Sequence, residues 1–420
     1  MTLLTPAQRN FIKSRLNERQ VLLVSKLMHN ADKNQRYIEF LRTKLLTLGF
    51  VERAYAELFD LSRDESRPKL RKLAAWELAQ WHANQYNQED ARMALEMLRI
   101  VKAHSTGKED IRQTAIMEAE CLDLLGELVQ AVKIIESVMT NDSHPDLFLA
   151  RANLATSMPE KIRWFNEALK TKRLAPLKIS DHGHSLDNLT PQLMKPYKIT
   201  ATNQSKVTVI IPVYNVEQVI RTAMDSVLAQ TWTNLEVIVV DDCSTDATAE
   251  IIKEYMAIDD RIQYLKTMNN GGPYVARNLA LQVASGEFVT CHDADDWSHP
   301  QKIEIQVTHL LKNRKAIANT SEQVRATSDL RFYRRGKPGA YIFQNMSSLM
   351  FRREIVMNKL GYWDSVRFGA DSEFLRRIRK LFGEHTVVDL PTGPLSIQRH
   401  TEHSLTGNAF FGYHGYFMGA

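Results

Sequence analysis

The sequence has 420 residues, of which 44% are hydrophobic and 25% charged, a composition typical of a globular protein that at this length predicts two or three domains. The formal charge of +5 comes without a long basic tract, which argues against nucleic-acid binding, and three widely spaced cysteines argue for a reducing compartment rather than a disulfide framework. The sequence contains neither an apolar run of about 18 residues nor a signal-peptide core, so we expect a cytoplasmic protein, attached at most peripherally to the inner face of the cytoplasmic membrane.

The first 170 residues carry apolar side chains at the three- and four-residue spacing of amphipathic helices. Polar breaks divide this pattern into helix–turn–helix units that recur about every 35 residues and resemble tetratricopeptide repeats. The breaks fall at Tyr86–Glu89, Gly126–Glu127 and Ser157–Pro159, and three alanine pairs lie near the small-residue positions of such repeats: Ala79 and Ala91, Ala119 and Ala131, Ala155 and Ala168. We predict a tetratricopeptide-repeat-like α-helical domain over residues 1–170, with an irregular helical bundle as the alternative.

The helical periodicity is lost over residues 171–205, which predicts a linker. Three prolines interrupt this segment: Pro176, Pro191 and Pro196. From residue 206 to residue 420, apolar runs alternate with amphipathic segments, which predicts a parallel sheet with helices on both faces. In such a sheet the functional site lies at the carboxyl ends of the strands. Those ends are predicted at 212–215, 241–244 and 292–296.

Three aspartates crowd the last of these strand ends, in the stretch VTCHDADDW at residues 289–297. Carboxylates at this spacing repel one another and raise each other's pKa, so the cluster does not serve stability. The first strand runs into IIPVYNVEQ, which lacks the glycine-rich turn that binds a diphosphate through helix amides. We therefore predict that Mg²⁺ or Mn²⁺ bridges the aspartates to a nucleotide diphosphate.

Four motifs, VTVIIPVYN, VIVVDDCSTD, NNGGPYVARNLAL and DADD, occur in this order and together resemble those of the family 2 glycosyltransferases. The resemblance covers about residues 206–406. It implies an α/β fold of the GT-A class, with a Rossmann-like, mostly parallel sheet. It also implies a nucleotide-diphospho-sugar donor, a divalent cation and transfer to an acceptor hydroxyl with inversion.

The resemblance assigns roles to four residues on the donor side. Pro212 and Tyr214 are expected to line the pocket for the base, with the Tyr214 ring against a pyrimidine. Asp242 is expected to accept a hydrogen bond from the imide of the base, a pairing that favours uracil. Arg277, within the ARN of the third motif, is expected to orient the acidic cluster and the diphosphate.

The same resemblance identifies the candidate metal ligands. Asp293 and Asp295 are the aspartates of the family's D-x-D motif, and Asp296 is an extra neighbour. Asp295 and Asp296 are both candidates to ligate the cation, and another carboxylate is expected to contact the ribose. The segment SIQRHTEHSLT resembles the closing motif in which a histidine or arginine returns to the metal or the diphosphate, and His400 and His403 both qualify.

The acceptor side is expected in the second half of this region, where FGADSEFLRRIRKLF resembles the acceptor helix of the family. The family usually carries Glu-Asp where this chain has Ala370-Asp371. Asp371 is the predicted general base, because the dipole of a helix N-terminus keeps a carboxylate ionised and able to take the proton of a hydroxyl. Glu373 is the fallback, since the lost glutamate leaves the assignment open.

Together these assignments predict a metal-dependent, hexosyltransferase-type enzyme that acts on a glycan or lipid-linked glycan in bacterial surface polysaccharide synthesis, such as that of a capsule. The helical half is expected to dock a protein partner or the acceptor. Two alternatives stay open: a sugar nucleotidyltransferase and a scaffold with a degenerate transferase domain. The aromatic, glycine-rich end FFGYHGYFMGA lacks a closing helix, so we expect a natural chain that continues past residue 420.

Overall fold

The computed structural model describes residues 33–180, 185–192, 205–334 and 338–400. The chain divides into two compact units. Of the described residues, 33–138 form the helical unit, and the sheet unit lies within Met139–His400. Within the described ranges, no helix combines the length and the apolar character needed to cross a membrane.

The described part of the helical unit is a succession of α-helices. They are α1 (33–46), α2 (Val51–Arg63), α3 (Pro68–Ala83), α4 (Gln88–Ala103), α5 (Lys108–Leu124) and α6 (Leu128–Met139), the last of which continues one residue past the unit. Helix α2 packs on α3, α3 on α4, and α4 on α5. Helices α1 to α5 turn an apolar stripe into a common core, in which Leu41, Leu58, Leu78 and Leu98 are fully buried.

The three predicted breaks coincide with helix ends. The first separates α3 from α4, the second separates α5 from α6, and the third separates α7 (Pro145–Asn153) from α8 (Met158–Thr171) in the sheet unit. The six alanines of the predicted pairs are all buried, as expected where helices approach closely. These elements confirm the helix–turn–helix organisation of the first part of the chain.

Helices α7 and α8 are built onto the strands of the sheet unit. The Asn153 side chain donates to the carbonyl of Phe332 at 2.9 Å and accepts from its amide at 2.7 Å. The rings of Phe165 and Phe332 lie 5.3 Å apart between their centres. Along the chain, the boundary between the two compact units falls between residues 138 and 139, whereas the sequence places the end of the helical domain at residue 170.

Part of the predicted linker is also folded into the sheet unit. Strands β1 (Leu177–Ile179) and β2 (Leu189–Pro191) pair antiparallel. The Asn166 side chain donates a hydrogen bond to the carbonyl of Leu177 and accepts one from its amide, each at 2.8 Å. Sequence reasoning did not predict these strands, because three residues are too few to show a period and prolines surround them.

The main sheet has the strand order β5-β4-β3-β6-β10-β8-β11-β7, with β9 paired to β8. The strands are β3 (Val207–Val213), β4 (Leu235–Asp241), β5 (Ile262–Lys266), β6 (Phe288–Cys291), β7 (Trp297–Ser298), β8 (Ala318–Ala326), β9 (Phe332–Tyr333), β10 (Phe343–Arg352) and β11 (Val387–Arg399). Strands β5, β4, β3 and β6 are parallel, while β10 runs antiparallel to both β6 and β8. The predicted parallel sheet is thus confirmed for these four strands and continues into a mixed half.

Helices cover both faces of this sheet. They are α9 (Ile220–Leu228), α10 (Thr248–Met256), α11 (Pro273–Val283), α12 (Lys302–Lys312), α13 (Arg353–Lys359) and α14 (Ala370–Phe382). Val209 and Ile211 of β3 join the core under α9, α10 and α12, whereas Ile210 joins the core under α11 and α14. The register pairs Val213 with Asp241, so β3 and β4 end together and their following residues meet at one edge.

Candidate active site

Two loops lie against each other where β3 and β4 end. The side chain of Asn215 accepts a hydrogen bond from the amide of Thr245 at 2.8 Å. Asn215 and Cys243 have positive φ angles of 50° and 68°, so the chain turns sharply after each strand. Beside these turns, Pro212 is partly buried and Tyr214 is 50% exposed, which leaves the Tyr214 ring accessible to a ligand.

Asp242, which is predicted to accept a hydrogen bond from the base, is buried and accepts three hydrogen bonds from the protein. The Thr267 hydroxyl donates at 2.8 Å and the Gly271 amide at 3.0 Å to Oδ1, while the Gly272 amide donates at 2.7 Å to Oδ2. A carboxylate has about four acceptor sites, so one site of Oδ2 is left for a ligand. Asp242 therefore also holds the loop 267–272, a role that the sequence did not predict.

Asp293, Asp295 and Asp296 lie in the turn that follows β6, which we call the acidic turn. Arg277 on α11 joins this turn to helix α14. Its Nη2 donates to Asp293 Oδ1 at 2.8 Å and its Nη1 donates to Asp371 Oδ1 at 2.5 Å. Tyr274, one turn earlier, donates through its hydroxyl to Asp371 Oδ2 at 3.0 Å, and its ring centre lies 5.0 Å from the guanidinium carbon. The structure thus brings two predicted site residues, Asp293 and Asp371, together around a third, the buried Arg277.

Burial and Arg277 set different charge states for the two aspartates. Burial raises the pKa of Asp371, and the Arg277 guanidinium opposes this rise only in part. Burial also acts on Asp293, but there the charge of Arg277, with further contributions from Ser347 and His292, more than offsets burial, and the pKa of Asp293 is lowered. Asp371 is therefore the more basic carboxylate of the two. Its ionised form depends on Arg277 and Tyr274, partners that the helix-dipole argument from the sequence did not include.

The other two aspartates of the acidic turn carry uncompensated charge. Burial, followed by repulsion from Asp293, raises the pKa of Asp295 to about 6. Burial and the neighbouring carboxylates of Asp295 and Asp293 raise the pKa of Asp296 as well. Asp295 is partly exposed, whereas Asp296 is buried and accepts a hydrogen bond from the Arg399 amide at 3.1 Å. A bound cation would relieve the repulsion at this turn.

The described residues contain no group of three or more His, Cys, Asp or Glu side chains arranged to hold a metal ion. His400 is accordingly not grouped with the aspartates; its amide donates to Ala326 and its ring centre lies 4.7 Å from that of Tyr333. His403 lies outside the described residues. Mg²⁺ and Mn²⁺ nevertheless need only one or two carboxylates when substrate phosphates and water complete the shell, and the accessible, repelled Asp295 fits that requirement.

Two buried cations beside the turn were not predicted. Arg399 is 5% exposed and donates through Nε to the carbonyl of Asp295 at 3.2 Å. Lys302, the first residue of α12, is 3% exposed and donates to Ser298 Oγ at 3.4 Å. Burial lowers the pKa of Lys302 to about 8, although the nearby Asp296 opposes this shift. Arg399 stands in the predicted closing motif, so that motif could have identified it, whereas Lys302 carries no comparable sequence signal.

The fallback base, Glu373, lies on a different side of α14 from Asp371. Gly369, with a φ of 78°, precedes this helix and places Asp371 in its first turn. Glu373 Oε1 accepts from Arg377 Nε at 2.6 Å, while its Oε2 is buried with no hydrogen-bond partner among the described residues. Glu373 thus pairs within its own helix, and Asp371 is the acid that joins the acidic turn through Arg277.

The family model described as Glycosyl transferase family 2 matches residues 208–380. Over these residues the chain is similar to the family 2 glycosyltransferases. The matched residues include nearly all of β3, the whole of β4 to β6, and Arg277 with its two partners Asp293 and Asp371. The predicted α/β domain preceded by an all-α part is confirmed by the order of the helices and strands.

Several glycosyltransferases of known sequence or structure are similar to parts of the chain. Glycosyltransferase GlyA of Streptococcus pneumoniae is 43% identical over 113 residues, which is 27% of this chain and 16% of the relative. An uncharacterized glycosyltransferase of Haemophilus influenzae is 38% identical over 111 residues, or 26% of this chain and 44% of the relative. The crystal structure of S. aureus TarS 1-349 in complex with UDP-GlcNAc has a TM-score of 0.39 and 22% identity, over 47% of this chain and 60% of that chain. The chain spans less than half the length of these two sequence relatives.

Proposed function

We propose that this family 2 domain moves a sugar from a nucleotide-diphosphate donor, with uridine as the nucleoside, to a hydroxyl of a glycan acceptor. The observation that carries the proposal is the Arg277 bridge, in which one guanidinium holds Asp293 of the acidic turn and Asp371 of α14. One guanidinium thus contacts both Asp293, a carboxylate that can ligate a cation, and Asp371, a carboxylate that can accept a proton. The proposed transfer from a diphosphate to a hydroxyl uses both carboxylates.

Asp371 is the general base of the proposed reaction. Arg277 and Tyr274 occupy two of its acceptor sites, which leaves others for the acceptor hydroxyl. Burial raises the pKa of Asp371 and so strengthens it as a base, while the guanidinium keeps it ionised. The hydroxyl proton passes to Asp371 as the new C–O bond forms, and in-line displacement of the nucleoside diphosphate inverts the anomeric carbon.

The acidic turn receives the diphosphate end of the donor. Asp295, together with Asp293 or Asp296, would hold Mg²⁺ or Mn²⁺ there. The bound cation supplies Lewis-acid stabilisation of the charge that develops on the leaving diphosphate. Arg277 keeps Asp293 ionised for this task, since it lowers the pKa of that carboxylate against the effect of burial.

The nucleoside lies at the ends of β3 and β4 in this proposal. The accessible Tyr214 ring stacks on the base, and Pro212 lines the same side of the pocket. The remaining acceptor site of Asp242 takes the imide N–H, which favours uracil. The family resemblance further suggests an acceptor of the bacterial surface-glycan class, and we assign partner or acceptor docking to the helical unit.

A donor screen with the purified chain tests the proposal, with nucleoside-diphosphate release measured for UDP- and GDP-sugars in the presence of Mn²⁺ and candidate glycans. Calorimetry with UDP, with and without Mn²⁺, separates the alternatives. Metal-dependent UDP binding is expected for the transferase. Pyrophosphate release from a nucleoside triphosphate would identify a nucleotidyltransferase, and absence of any nucleotide binding would identify a scaffold.

A further inference from the structure

Asp187 lies in segment 185–192, ahead of the residues that match the family model. It forms a bidentate ion pair with Arg399: Arg399 Nη1 donates to Asp187 Oδ2 at 3.2 Å, and Arg399 Nη2 donates to Asp187 Oδ1. The Thr222 hydroxyl donates to Asp187 Oδ1 at 2.5 Å. Because the family match ends at residue 380, both members of the ion pair lie outside it. The pair is a feature of this chain rather than of the matched segment.

Arg399 connects Asp187 to both candidate metal ligands. Its Nε donates to the carbonyl of Asp295 at 3.2 Å, and its amide donates to Asp296 Oδ1 at 3.1 Å. Its Nη1 also donates to Ser328 Oγ at 3.0 Å. The side chain of Arg399 is 4% exposed, so these contacts are shielded from water. One buried arginine therefore spans from the segment 185–192 to the acidic turn.

Asp187 supplies the charge that a buried guanidinium requires. Burial raises the pKa of Asp187, but the hydrogen bonds from Arg399, Thr222 and Ser185 together with the charge of Arg399 more than offset burial and lower that pKa, so the carboxylate is ionised at neutral pH. A bidentate ion pair also fixes the plane of the guanidinium. Since Nε belongs to the same plane, the direction in which it donates to Asp295 is fixed as well.

The segment that carries Asp187 is itself held in place. The amide of Leu186 donates to the carbonyl of Ser328 at 2.7 Å, and the side chains of Ser185 and Asn188 form a capping box around the single 3₁₀ turn. Lys161 of α8 donates to the carbonyl of Asp329 at 2.6 Å, next to Ser328. The position of Asp187 is therefore determined by several contacts that do not involve the acidic turn.

We propose that Asp187 is a positioning residue of the active site, which holds the acidic turn in the geometry for a cation and a diphosphate by fixing the Arg399 guanidinium. Its effect passes through Arg399, and it touches no substrate. The inference rests on the proposed function only in naming the cation and diphosphate as the ligands of the turn. Segment 185–192, which the sequence predicts to be part of a linker, then helps to determine the geometry of the active site.

The test uses Asp187→Asn in the full chain, with Asp389→Asn as the matched control. Asp389 accepts from Arg379 at 2.8 Å and from the Thr320 hydroxyl at 2.7 Å, the same two kinds of donor that Asp187 has. It lies at the other end of β11 from Arg399. Both substitutions remove one charge and one arginine pair, but only Asp187→Asn is expected to affect the acidic turn.

The first measurement is hydrogen exchange, by mass spectrometry, of peptides covering 293–300 and 396–400 in the ligand-free chain. Exchange in these peptides should be faster by about ten-fold or more in Asp187→Asn and unchanged in Asp389→Asn. Wild-type exchange in folded Asp187→Asn, or equal acceleration in the control, would overturn the proposal. If circular dichroism shows that Asp187→Asn does not fold, Asp187→Glu takes its place. The longer side chain should then accelerate exchange in the same peptides, and wild-type exchange in it would overturn the proposal.

The second measurement is calorimetric titration of Mn²⁺ into each variant with UDP present. Loss of an outer partner of a metal ligand typically weakens metal binding by about 10–100-fold, so that loss is expected for Asp187→Asn and not for Asp389→Asn. Wild-type affinity in Asp187→Asn would count against the proposal. If the wild-type chain binds neither Mn²⁺ nor UDP, the proposed function fails, and the exchange experiment still decides the role of Asp187.

Discussion

At the scale of single residues, Arg277 holds two aspartates whose pKa values move in opposite directions. Burial raises the pKa of Asp371 above its usual value, whereas at Asp293 Arg277 and its neighbours together more than offset burial, and the pKa is lowered. A carboxylate with a lowered pKa stays charged beside a cation, and one with a raised pKa accepts a proton more readily. The same arginine thus allows neighbouring acids of one chemical type to serve different purposes.

Asp371→Asn should lower kcat by about 10²–10⁴-fold, the usual contribution of a positioned proton acceptor, with donor affinity near that of the wild type. Steady-state kinetics and UDP titration measure the two effects. Glu373→Gln is the matched control and should cost far less, because Glu373 pairs with Arg377 on another side of α14. The reverse ranking would move the base to Glu373, and equal small losses would mean that neither acid takes the proton.

Asp242→Asn should weaken UDP binding by about 1–3 kcal/mol, the scale of a charge-assisted hydrogen bond, in calorimetry with Mn²⁺. Because Asp242 also holds the loop 267–272, Thr267→Val is the informative control. It removes one loop hydrogen bond to Asp242 and leaves the acceptor site for the base. An equal loss in Thr267→Val would show that Asp242 acts through the loop, and unchanged affinity in Asp242→Asn would place base recognition elsewhere.

Removal of the cation or of its ligands should abolish turnover. We expect no product from the wild type in EDTA, and none from Asp295→Ala or Asp296→Ala at saturating Mn²⁺, because the leaving diphosphate then lacks its counter-charge. Asp60→Ala, which removes an exposed acid from the helical unit, should keep wild-type activity. Full activity in EDTA, with negligible metal content verified in the sample, would contradict the bridging role of the cation.

At the scale of elements, burial decides which strands the sequence could predict. Strands β3 and β4 have seven residues each and are almost fully buried, so they appear as apolar runs that need no periodicity. Strands β1, β2, β7 and β9 have only two or three residues and leave no such signal. Their positions depend on hydrogen bonds to distant elements, which local patterning does not encode.

The site was predictable to the extent that it follows strand ends. Asp242 follows β4 directly and Asp293 lies two residues past the end of β6, so alternating strands and helices were enough to bring them to one edge. The partner of Arg277 on α14 is 94 residues away, and only the family resemblance pointed to Asp371. Asp187 and Arg399 are 212 residues apart and outside the family match, so neither spacing nor resemblance predicted their contact.

The docking of α8 on the sheet gives a stability prediction. Phe165 is 1% exposed and packs against Phe332, so Phe165→Ala should lower the free energy of unfolding of the sheet unit by about 3–5 kcal/mol. Hydrogen exchange of β8 to β10 in increasing urea measures this unit separately. Val129→Ala, at a side chain that is 71% exposed, should change stability by no more than about 0.5 kcal/mol. A small loss in Phe165→Ala would show that α8 contributes little to the unit.

At the scale of the whole molecule, the unit boundary predicts which fragments fold. A fragment of residues 139–420 retains α7 and α8 and should unfold cooperatively in a thermal melt followed by circular dichroism. A fragment of residues 172–420, cut near the boundary that the sequence suggests, loses the partners of Phe332 and should melt at a lower temperature or aggregate. Equal melting temperatures of the two fragments would show that the helices are not part of the folding unit.

The contact between Asn153 and Phe332 also has a consequence for synthesis of the chain on the ribosome. The two residues are 179 positions apart, so α7 leaves the ribosome long before its binding site on β9 exists. At about 5–20 residues per second, the delay is roughly 9–36 s. During that time the parts of α7 and α8 that pack against β9 have no strand to cover them. The nascent chain therefore presents a binding surface for chaperones over residues 145–171, and this surface disappears once β9 has been made.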